Sequence, residues 1–307
     1  MSKAVVVIPS WNAREHLAAC LESVLEEIRD PSEIFVVENG SSDGSVGLLR
    51  DLDVPHVALD ANIGFAAAVN LGVARTKADF VFVLNCDTLL REGALRRLIG
   101  ALDRDPGLGG VQPRILQLGS DPPTIYSAGQ TLRRDGRAFE SGAGDADGPD
   151  HRTEREIFGV CGAACLLRRR LFTELGGYDE RYFAFHEDVD LNARARLAGW
   201  RFDYVPEAVV LHAGGATWNA AKSPLRFNTR LMARNRLATN VKVLPTRSFP
   251  RMVVAELGSL VRAAQRGTLG AALRGRAEAL GWLPRLLAER RALRRGGRRD
   301  YLATWLR

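Results

Sequence analysis

The sequence predicts an α/β fold with a mostly parallel, doubly wound sheet flanked by helices. Residues 4–8 and 34–37 form continuous apolar, β-branched runs, the pattern of strands that are buried on both faces of a sheet. A polar turn and a helical pattern follow each run, which makes two successive βα units. Because ligands of such folds bind beyond the carboxyl ends of the strands, function is to be sought first in these turns.

The composition is that of a globular protein with a basic excess. Its 307 residues, 46% of them hydrophobic, suit one large α/β domain or a domain with an appendage, and the formal net charge is +7. The four cysteines form no CxxC pair and are interpreted as reduced core thiols, which predicts a cytosolic protein. Neither a signal peptide nor a membrane-spanning helix is predicted, because the apolar runs are too short.

The first two strands place candidate ligand-binding residues at one edge of the sheet. The first strand stops at Pro9 and Ser10, and Asn12 is predicted to cap a helix over residues 14–28. The second strand ends in the turn ENGSSDGS. The side chains expected beyond these strands are those of Trp11, Glu38, Asn39 and Asp43. A solvated turn explains the same polar residues, since Asn, Asp, Ser and Gly are turn formers.

The next segment contains a possible phosphate site and a candidate metal ligand. Strands are predicted over residues 57–59 and 80–84, and between them Gly64 precedes small residues whose helix N–H groups could approach a phosphate. The segment lacks GxGxxG and P-loop motifs, so the sequence does not indicate a dinucleotide-binding fold or a P-loop. Asp87 follows the fourth strand, where a carboxylate needs a partner. Mg²⁺ or Mn²⁺ bridging to a diphosphate is one possibility, and capping of a helix over residues 92–102 is another.

Three carboxylates occur within four positions among aromatic residues: Glu187, Asp188 and Asp190. Such surroundings can raise the pKa of a carboxyl group and provide a general base. An acidic helix start explains the same pattern, because Asp and Glu interact favourably with the helix dipole.

Two regions lack the α/β pattern. Residues 118–157 show little periodicity, and residues 141–150 are predicted to be a flexible surface insertion rather than a lid over an acceptor. From residue 251 the pattern is helical and very basic, with Arg mixed with Leu and Trp, as in a helix that lies on an anionic membrane surface. Nucleic-acid binding ranks lower because no recognition motif accompanies the charge. A partner-binding or dimerisation helix pair is a further alternative.

Six segments in this order resemble the family 2 glycosyltransferases of the GT-A fold, and within them the bacterial rhamnosyltransferase-like branch. They are VVVIPSWN, VVENGSSDGS, NIGFAAAVN, FVFVLNCDT, the block from GACLLRRR to FHEDVDL, and LHAGGAT, and they cover residues 4–217. The resemblance implies a GT-A domain at residues 1–220, with a nucleotide-sugar-binding half (1–117) and an acceptor and catalytic half (118–220). A basic helical region (221–307) would follow.

The resemblance also implies roles for individual residues. The implied donor-binding set is Pro9, Ser10, Trp11, Glu38, Asn39, Asp43, Asn62, Gly64, Asn70, Asn85 and Asp87. Asp87 would bind Mg²⁺ or Mn²⁺ as the single aspartate of a DxD motif that is NCD here. Asp188 would be the catalytic base, and Glu187 would bind the acceptor or orient Asp188. His212 would be a second metal ligand, although a hydrogen-bonded histidine at a strand end explains it without a metal.

The implied function is inverting, metal-dependent transfer of a sugar, with L-rhamnose preferred, from a dTDP-, UDP- or GDP-sugar. The acceptor would be a hydroxyl of a saccharide or lipid-linked molecule in surface polysaccharide or glycolipid synthesis. The enzyme would be cytoplasmic, at the inner face of the cytoplasmic membrane, would bind no nucleic acid and could form homo-oligomers. Trp218 would be a lid, a platform for the sugar or a packing residue. Arg234, Asn235 and Arg236 would hold a diphosphate or form a solvated basic face. The alternative is a non-catalytic nucleotide-sugar-binding or membrane-surface scaffold protein.

Overall fold

The computed structural model describes residues 3–28, 30–214, 225–296 and 304–306. The strands in chain order are β1 (Ala4–Ser10), β2 (Ile34–Glu38), β3 (His56–Ala58), β4 (Phe80–Leu84), β5 (Thr88–Leu90), β6 (Leu108–Gln117), β7 (Ile125–Ser127), β8 (Gln130–Leu132), β9 (Ala138–Glu140), β10 (Arg155–Ile157), β11 (Ala164–Arg168) and β12 (Arg201–His212). The helices are α1 (Arg14–Ile28), α2 (Ser45–Asp51), α3 (Phe65–Ala74), α4 (Ala94–Arg104), α5 (Arg169–Glu174), α6 (Glu187–Ala198), α7 (Leu225–Val243), α8 (Phe249–Gln265), α9 (Leu269–Gly281) and α10 (Leu283–Gly296).

Within the described residues, ten strands form one sheet with the order β10-β12-β6-β11-β4-β1-β2-β3, while β5 pairs with β12 and β7 with β6. Strand β1 runs parallel to β2 and β4, and β2 runs parallel to β3. All residues of β1 and β4 are buried, as expected for strands covered by helices on both faces. Strand β11 lies antiparallel between β4 and β6. The predicted fold class is confirmed, with parallel order confined to β1–β4 and to the pair of β6 with β12.

The N-terminal cap of α1 differs from the prediction. Asn12 has a positive φ of 47°, and its Oδ1 accepts a hydrogen bond from the Ser42 N–H, so its side chain binds the turn after β2. Asp43 caps the helix instead, because its Oδ2 accepts from the Arg14 N–H at 2.8 Å. The cap therefore comes from the next βα turn rather than from the nearest polar residue.

The helix after Asp87 is not capped by that residue, as one interpretation of the sequence proposed. Strand β5 separates Asp87 from α4, and the Gly93 N–H at the start of α4 donates to Glu27 at 2.7 Å. Strand β5 pairs with the last residues of β12 and so brings Asp87 beside His212. The capping interpretation is wrong, and the Asp87 carboxylate contacts His212 instead.

Residues 118–157 are folded against the sheet, contrary to the predicted flexible insertion. Strand β7 extends the sheet at β6, β10 pairs with β12, and β8 and β9 form a separate hairpin. The stretch 141–150 is anchored at its start, where the Ser141 N–H donates to the Gly129 carbonyl at 2.7 Å. Gly136, Gly142 and Gly144 of this region have positive φ, as tight turns require.

The helices after β12 pack on the sheet domain through α7, which contacts α6, α9 and α10. One apolar cluster joins Val189 of α6 to Val243 of α7. On α10, Leu286 is fully buried and Arg290 donates to the Val241 carbonyl at 2.8 Å. The basic and apolar residues near the C-terminus were predicted to face a membrane, but some of these side chains on α10 point into the protein.

The outward surface of the C-terminal helices is partly apolar. Four side chains of α8 share one side of the helix and are at least half exposed: Val253, Val254, Leu257 and Val261. Within the described ranges, no helix has the length and apolar character needed to cross a bilayer. Trp218 and the predicted domain boundary at residue 220 lie outside the described residues, so both assignments stay predictions.

Candidate active site

A cavity of about 370 Å³ opens where the carboxyl ends of β1, β2 and β4 meet the start of α6. Its volume is in the range of small-ligand sites. The predicted functional residues that line it are Pro9, Ser10, Trp11, Asn39, Asn62, Asn85, Asp87, Glu187, Asp188 and His212. The fold thus brings together at one site most of the side chains that the sequence singled out.

Glu38 and Asp43 were predicted to contact the donor but do not line the cavity. Both carboxylate oxygens of Glu38 accept from the Ser41 N–H, at 3.0 and 3.2 Å. Asp43 caps α1 and also accepts from the Ser45 hydroxyl at 2.5 Å. Both carboxylates stabilise the turn after β2, because they satisfy N–H groups that the turn leaves unpaired.

Gly64 and Asn70, also predicted to bind the donor, do not line the cavity and have contacts within the protein. Gly64 has a φ of 91°, and a Cβ there would lie 2.6 Å from the Phe183 ring and carbonyl oxygen, so the close approach is made by Phe183. The Phe183 carbonyl accepts from the Ala66 N–H at 3.1 Å, which occupies part of the helix end proposed for phosphate. The amide of Asn70 is paired with the backbone N–H and carbonyl of Tyr178.

Asn39 and Asn62 join the turns after β2 and β3 at the floor of the cavity. Asn39 Nδ2 donates to Asn62 Oδ1 at 3.0 Å, and Asn39 Oδ1 accepts from the Ile63 N–H at 2.9 Å. Asn62 Oδ1 also accepts from the Gly64 N–H at 2.8 Å. These bonds fix the two turns relative to each other and so preform this end of the cavity.

Asp87 and His212 form the candidate metal site. His212 Nε2 lies 3.1 Å from Asp87 Oδ1, and both side chains are buried. A carboxylate oxygen and an imidazole nitrogen are both metal ligands, and two such atoms this close together could hold one Mg²⁺ or Mn²⁺ ion. Asn85 Nδ2 lies 3.4 Å from the same His212 nitrogen. Tyr126 packs edge-on against the His212 ring, with 4.3 Å between centroids, and fixes its plane.

A second group of potential ligand atoms, from Glu140, Cys161 and Asp188, lies within 4.8 Å of one another. Burial, with the nearby carboxylates adding to it, raises the pKa of the Cys161 thiol well above its usual value. Gln130 Nε2 bridges the two carboxylates of this group, at 3.0 Å from Glu140 and 2.7 Å from Asp188. The cluster fits a hydrogen-bonded network better than a metal site.

Helix α6 begins with the two carboxyl groups predicted to act on the acceptor. Asp188 Oδ2 accepts from Gln130 Nε2 at 2.7 Å and from the Gly162 N–H at 2.9 Å. Asp188 Oδ1 accepts from the Val189 N–H at 2.7 Å. Burial raises the pKa of both acids, and that of Glu187 is raised well above its usual value, with Asp188 as the second cause. Three N–H donors make Asp188 the better site for the negative charge of the pair.

Asp190 faces away from the cavity, in line with the alternative of a structural acid at a helix start. It is fully buried, and it accepts from Arg194 Nε at 2.6 Å and pairs with Lys242 Nζ at 2.7 Å. Burial raises its pKa, but Arg194 and Lys242 outweigh that effect and lower it. Because Lys242 belongs to α7, this cluster ties the helix of Asp188 to the C-terminal region.

The triplet of Arg234, Asn235 and Arg236 has a different place from the two that the sequence suggested. Asn235 Nδ2 lies 2.7–2.9 Å from the carbonyl oxygens of three residues before α6: Tyr182, Ala184 and Phe185. Arg234 Nη2 donates to the Tyr182 carbonyl at 2.9 Å as well. Arg236 pairs with Glu256 of α8 at 2.8 Å. Arg234 and Asn235 therefore hold the loop that lines the cavity, while Arg236 ties α7 to α8, and the triplet does not form a solvated face.

The hairpin of β8 and β9 supplies cavity residues that the sequence interpretation missed. Gln130, Phe139 and Glu140 line the cavity together with Tyr126 of β7. The Asp-Gly pair at residues 135–136, between short runs of β-forming residues, was the available signal for a hairpin. No local pattern indicates that this hairpin meets α6.

Buried polar atoms at the cavity have no hydrogen-bond partner among the described residues. They are Ser10 Oγ, Asn85 Oδ1, His186 Nδ1, Glu187 Oε2 and His212 Nδ1. Buried polar groups are nearly always paired, and an unpaired one costs about 1–3 kcal/mol. A polar ligand in the cavity would offset that cost, as expected for a binding site.

Comparisons with known proteins agree on one family. The family model "Glycosyl transferase family 2" matches residues 5–176. The N-acetylglucosaminyl-diphospho-decaprenol L-rhamnosyltransferase of Mycobacterium tuberculosis (strain CDC 1551 / Oshkosh) is 31% identical over 233 residues, covering 67% of this chain and 75% of that protein. The O-antigen chain rhamnosyltransferase RfbN of Salmonella typhimurium (strain LT2) is 26% identical over 219 residues, covering 70% and 68%.

Solved structures agree with the fold. The mannosyltransferase PcManGT from Pyrobaculum calidifontis, in complex with GDP-Man and Mn²⁺, matches with a TM-score of 0.54 and 18% identity, covering 98% of this chain and 85% of that one. GalNAc-T7 with UDP, GalNAc and Mn²⁺ matches with a TM-score of 0.58 and 15% identity, covering 68% and 43%. Since the family model spans more than half of the sequence and the fold accords with it, the chain belongs to glycosyltransferase family 2, within its rhamnosyltransferase-like branch, and is a glycosyltransferase of the GT-A fold.

Proposed function

We propose that this glycosyltransferase moves L-rhamnose from a nucleoside-diphosphate sugar to a hydroxyl group of a saccharide or lipid-linked acceptor, with inversion at the anomeric carbon. The observation that supports this best is the single cavity that contains Asp87 and His212 together with Asp188. The names of two relatives support the sugar, and one of them is named for a decaprenol-linked acceptor. The product would be a surface polysaccharide or glycolipid, and dTDP-rhamnose is the first donor to test, before UDP- and GDP-sugars.

Asp188 acts as the base in this proposal. It takes the proton of the acceptor hydroxyl while that oxygen bonds to the anomeric carbon, and the bond to the leaving diphosphate breaks on the opposite face. A single displacement of this kind inverts the anomeric centre. The three N–H donors favour the charged form of Asp188 before transfer, and its raised pKa helps it to retain the proton afterwards. Glu187, the neighbouring carboxyl group in the cavity, binds the acceptor.

Asp87 and His212 would hold Mg²⁺ or Mn²⁺, with Asn85 as a supporting contact. The ion would neutralise the charge that develops on the leaving diphosphate. The nucleotide lies at the β1 and β2 end of the cavity, over Ser10 and Trp11. The buried Ser10 hydroxyl, which has no partner among the described residues, is available to the donor there.

An anionic membrane is the surface that we propose for the C-terminal helices. The exposed apolar side of α8, which includes Val254 and Leu257, is flanked by the exposed side chains of Arg251, Arg262 and Arg266. Apolar side chains that enter the interface, with Arg beside anionic head groups, are the pattern of a peripheral helix. Such a position, at the inner face of the cytoplasmic membrane, would give access to a lipid-linked acceptor.

A thermal-shift screen of nucleoside diphosphates and nucleotide sugars, each with and without Mn²⁺, tests the donor site. A ligand that binds only the folded state raises Tm, by an amount that corresponds to about 2.7 kcal/mol at a concentration of 100 times Kd. We expect one base to stabilise the protein in a metal-dependent way, and Asp87→Ala to abolish the metal dependence. Stabilisation without release of nucleoside diphosphate in the presence of any acceptor would instead favour the scaffold alternative.

A further inference from the structure

Gln130 of the β8–β9 hairpin connects the carboxyl group of Asp188 to that of Glu140. Its Nε2 donates to Asp188 Oδ2 at 2.7 Å and to Glu140 Oε1 at 3.0 Å. Its Oε1 accepts from Asn192 Nδ2 at 2.8 Å. Gln130 is 3% exposed and Asn192 is fully buried. Both N–H hydrogens and the carbonyl of the Gln130 amide are therefore engaged.

These partners determine which way the Gln130 amide points. The ionised form of Glu140 only accepts hydrogen bonds and the Asn192 NH₂ group only donates, so the Gln130 NH₂ faces Glu140. In that orientation the same NH₂ group also faces Asp188. An amide turned the other way would direct its carbonyl oxygen at two carboxylates and leave the Asn192 NH₂ group without its acceptor.

The network continues behind Glu140 into the sheet. Glu140 Oε2 accepts from the Ser127 hydroxyl at 2.5 Å, and Ser127 Oγ accepts from Gln112 Nε2 at 2.7 Å. Gln112 Oε1 accepts from the Cys161 N–H at 2.6 Å. Ser127 and Gln112 are fully buried. This buried hydrogen-bond network runs from β6 to Asp188 and restricts the side chains that it joins, with Asn192 Oδ1 left without a partner among the described residues.

We propose that Glu140 is a positioning residue that acts through Gln130 to hold the Asp188 carboxylate in the orientation needed for proton removal. This inference depends on the proposed role of Asp188 as base. The two acids influence each other, because burial first and Asp188 second raise the pKa of Glu140 to about 7. Glu140 comes from the acceptor side of the cavity, so the orientation of the base is linked to the element that would contact the acceptor.

Steady-state kinetics of Glu140→Gln test this role. The substitution keeps the size of the side chain and an acceptor oxygen but removes the charge that fixes the Gln130 amide. We expect kcat to fall by about 10- to 100-fold, the effect of a misplaced catalytic group. KM for donor and for acceptor, and Tm, should stay close to the wild-type values. Asp135→Asn in the turn of the same hairpin is the matched control, because Asp135 pairs with Arg137 and does not line the cavity.

A double-mutant cycle with Gln130→Met tests whether Glu140 acts through Gln130. Met has a similar length and cannot donate, so we expect kcat to fall in Gln130→Met and to fall by no more than about twofold further in the double variant. Additive losses would overturn the inference, as would wild-type kinetics in Glu140→Gln. A raised acceptor KM with unchanged kcat would overturn it too, because it would mean direct acceptor binding. If Gln130→Met does not fold, the kcat of Glu140→Gln decides alone. Failure of the proposed function would appear differently, as absence of transfer in the wild-type protein.

Discussion

The ion pairs behind α6 allow a stability prediction of definite size. Asp190 is fully buried between Lys242 Nζ at 2.7 Å and Arg194 Nε at 2.6 Å, and Lys242 also pairs with Asp179 at 3.0 Å. Lys242→Met keeps the volume of the side chain but removes a cation from three carboxylates, those of Asp190, Asp179 and, at 3.8 Å, Glu289. Removing one partner of a buried pair costs about 3–5 kcal/mol. Because Arg194 still pairs with Asp190, we expect a loss of about 3 kcal/mol in the free energy of unfolding, at the low end of that range.

Urea unfolding followed by circular dichroism measures this loss. Lys3→Met is the control, since it removes the ion pair of Lys3 with Asp103, whose side chains are 51% and 39% exposed. An exposed pair of this kind is worth about 0–1 kcal/mol. A Lys242→Met variant that is no less stable than the control would refute the reasoning.

The dependence of the loss on pH checks its electrostatic origin. The pKa of Asp190 is raised by burial but lowered overall by Arg194 and Lys242. A depressed pKa contributes stability that is present above the unfolded pKa, about 3.9 for Asp, and is lost as pH falls through the folded pKa. The difference between wild type and Lys242→Met should therefore be largest near neutral pH and shrink in acid. A difference that does not change with pH would contradict this explanation.

Three further predictions concern activity and membrane binding. Asp188→Asn should lower kcat by at least about 10²-fold, the usual contribution of a general base, while donor-induced stabilisation in the thermal-shift assay is kept. His212→Ala should weaken the Mn²⁺ dependence of donor binding, which is measured by titration of Mn²⁺ at fixed donor concentration. A titration curve that does not change would mean that His212 is not a metal ligand. Val254→Asp with Leu257→Asp should abolish sedimentation with anionic liposomes and leave transfer to a soluble acceptor unchanged, because these side chains lie on the outer side of α8. Equal sedimentation of the variant would refute the membrane surface.

The parallel half of the sheet could be predicted because its signals are local. The buried runs of β1, β2 and β4 contain their own strand pattern, and the turns after them follow directly in the sequence. The edge where parallel strands end follows from the fold class, which explains why Asn39 and Asp87 were placed together correctly.

The contacts that escaped prediction join residues far apart in the sequence. The sequence around Gly64 predicted a close approach of a phosphate to the start of α3. That space is filled by Phe183, from the loop before α6. Gln130 and Asp188 are 58 positions apart, and neither surrounding sequence indicates the other. The basic residues of α7 and α10 likewise suggested an external surface. Arg290 instead satisfies a helix carbonyl, a role that only the packed structure specifies.

The residues that orient Asp188 and anchor its helix lie outside the parallel half of the sheet. Its carboxylate is oriented by the hairpin residue Gln130, and its helix is tied to α7 through Lys242. The loop before α6 is held by Asn235, also of α7. The donor end of the cavity, by contrast, is preformed by Asn39 and by the turn contacts of β2 and β3. Substitutions of Gln130, Lys242 or Asn235 should therefore change the rate of transfer without changing donor affinity, because the two ends of the cavity are held by separate sets of contacts.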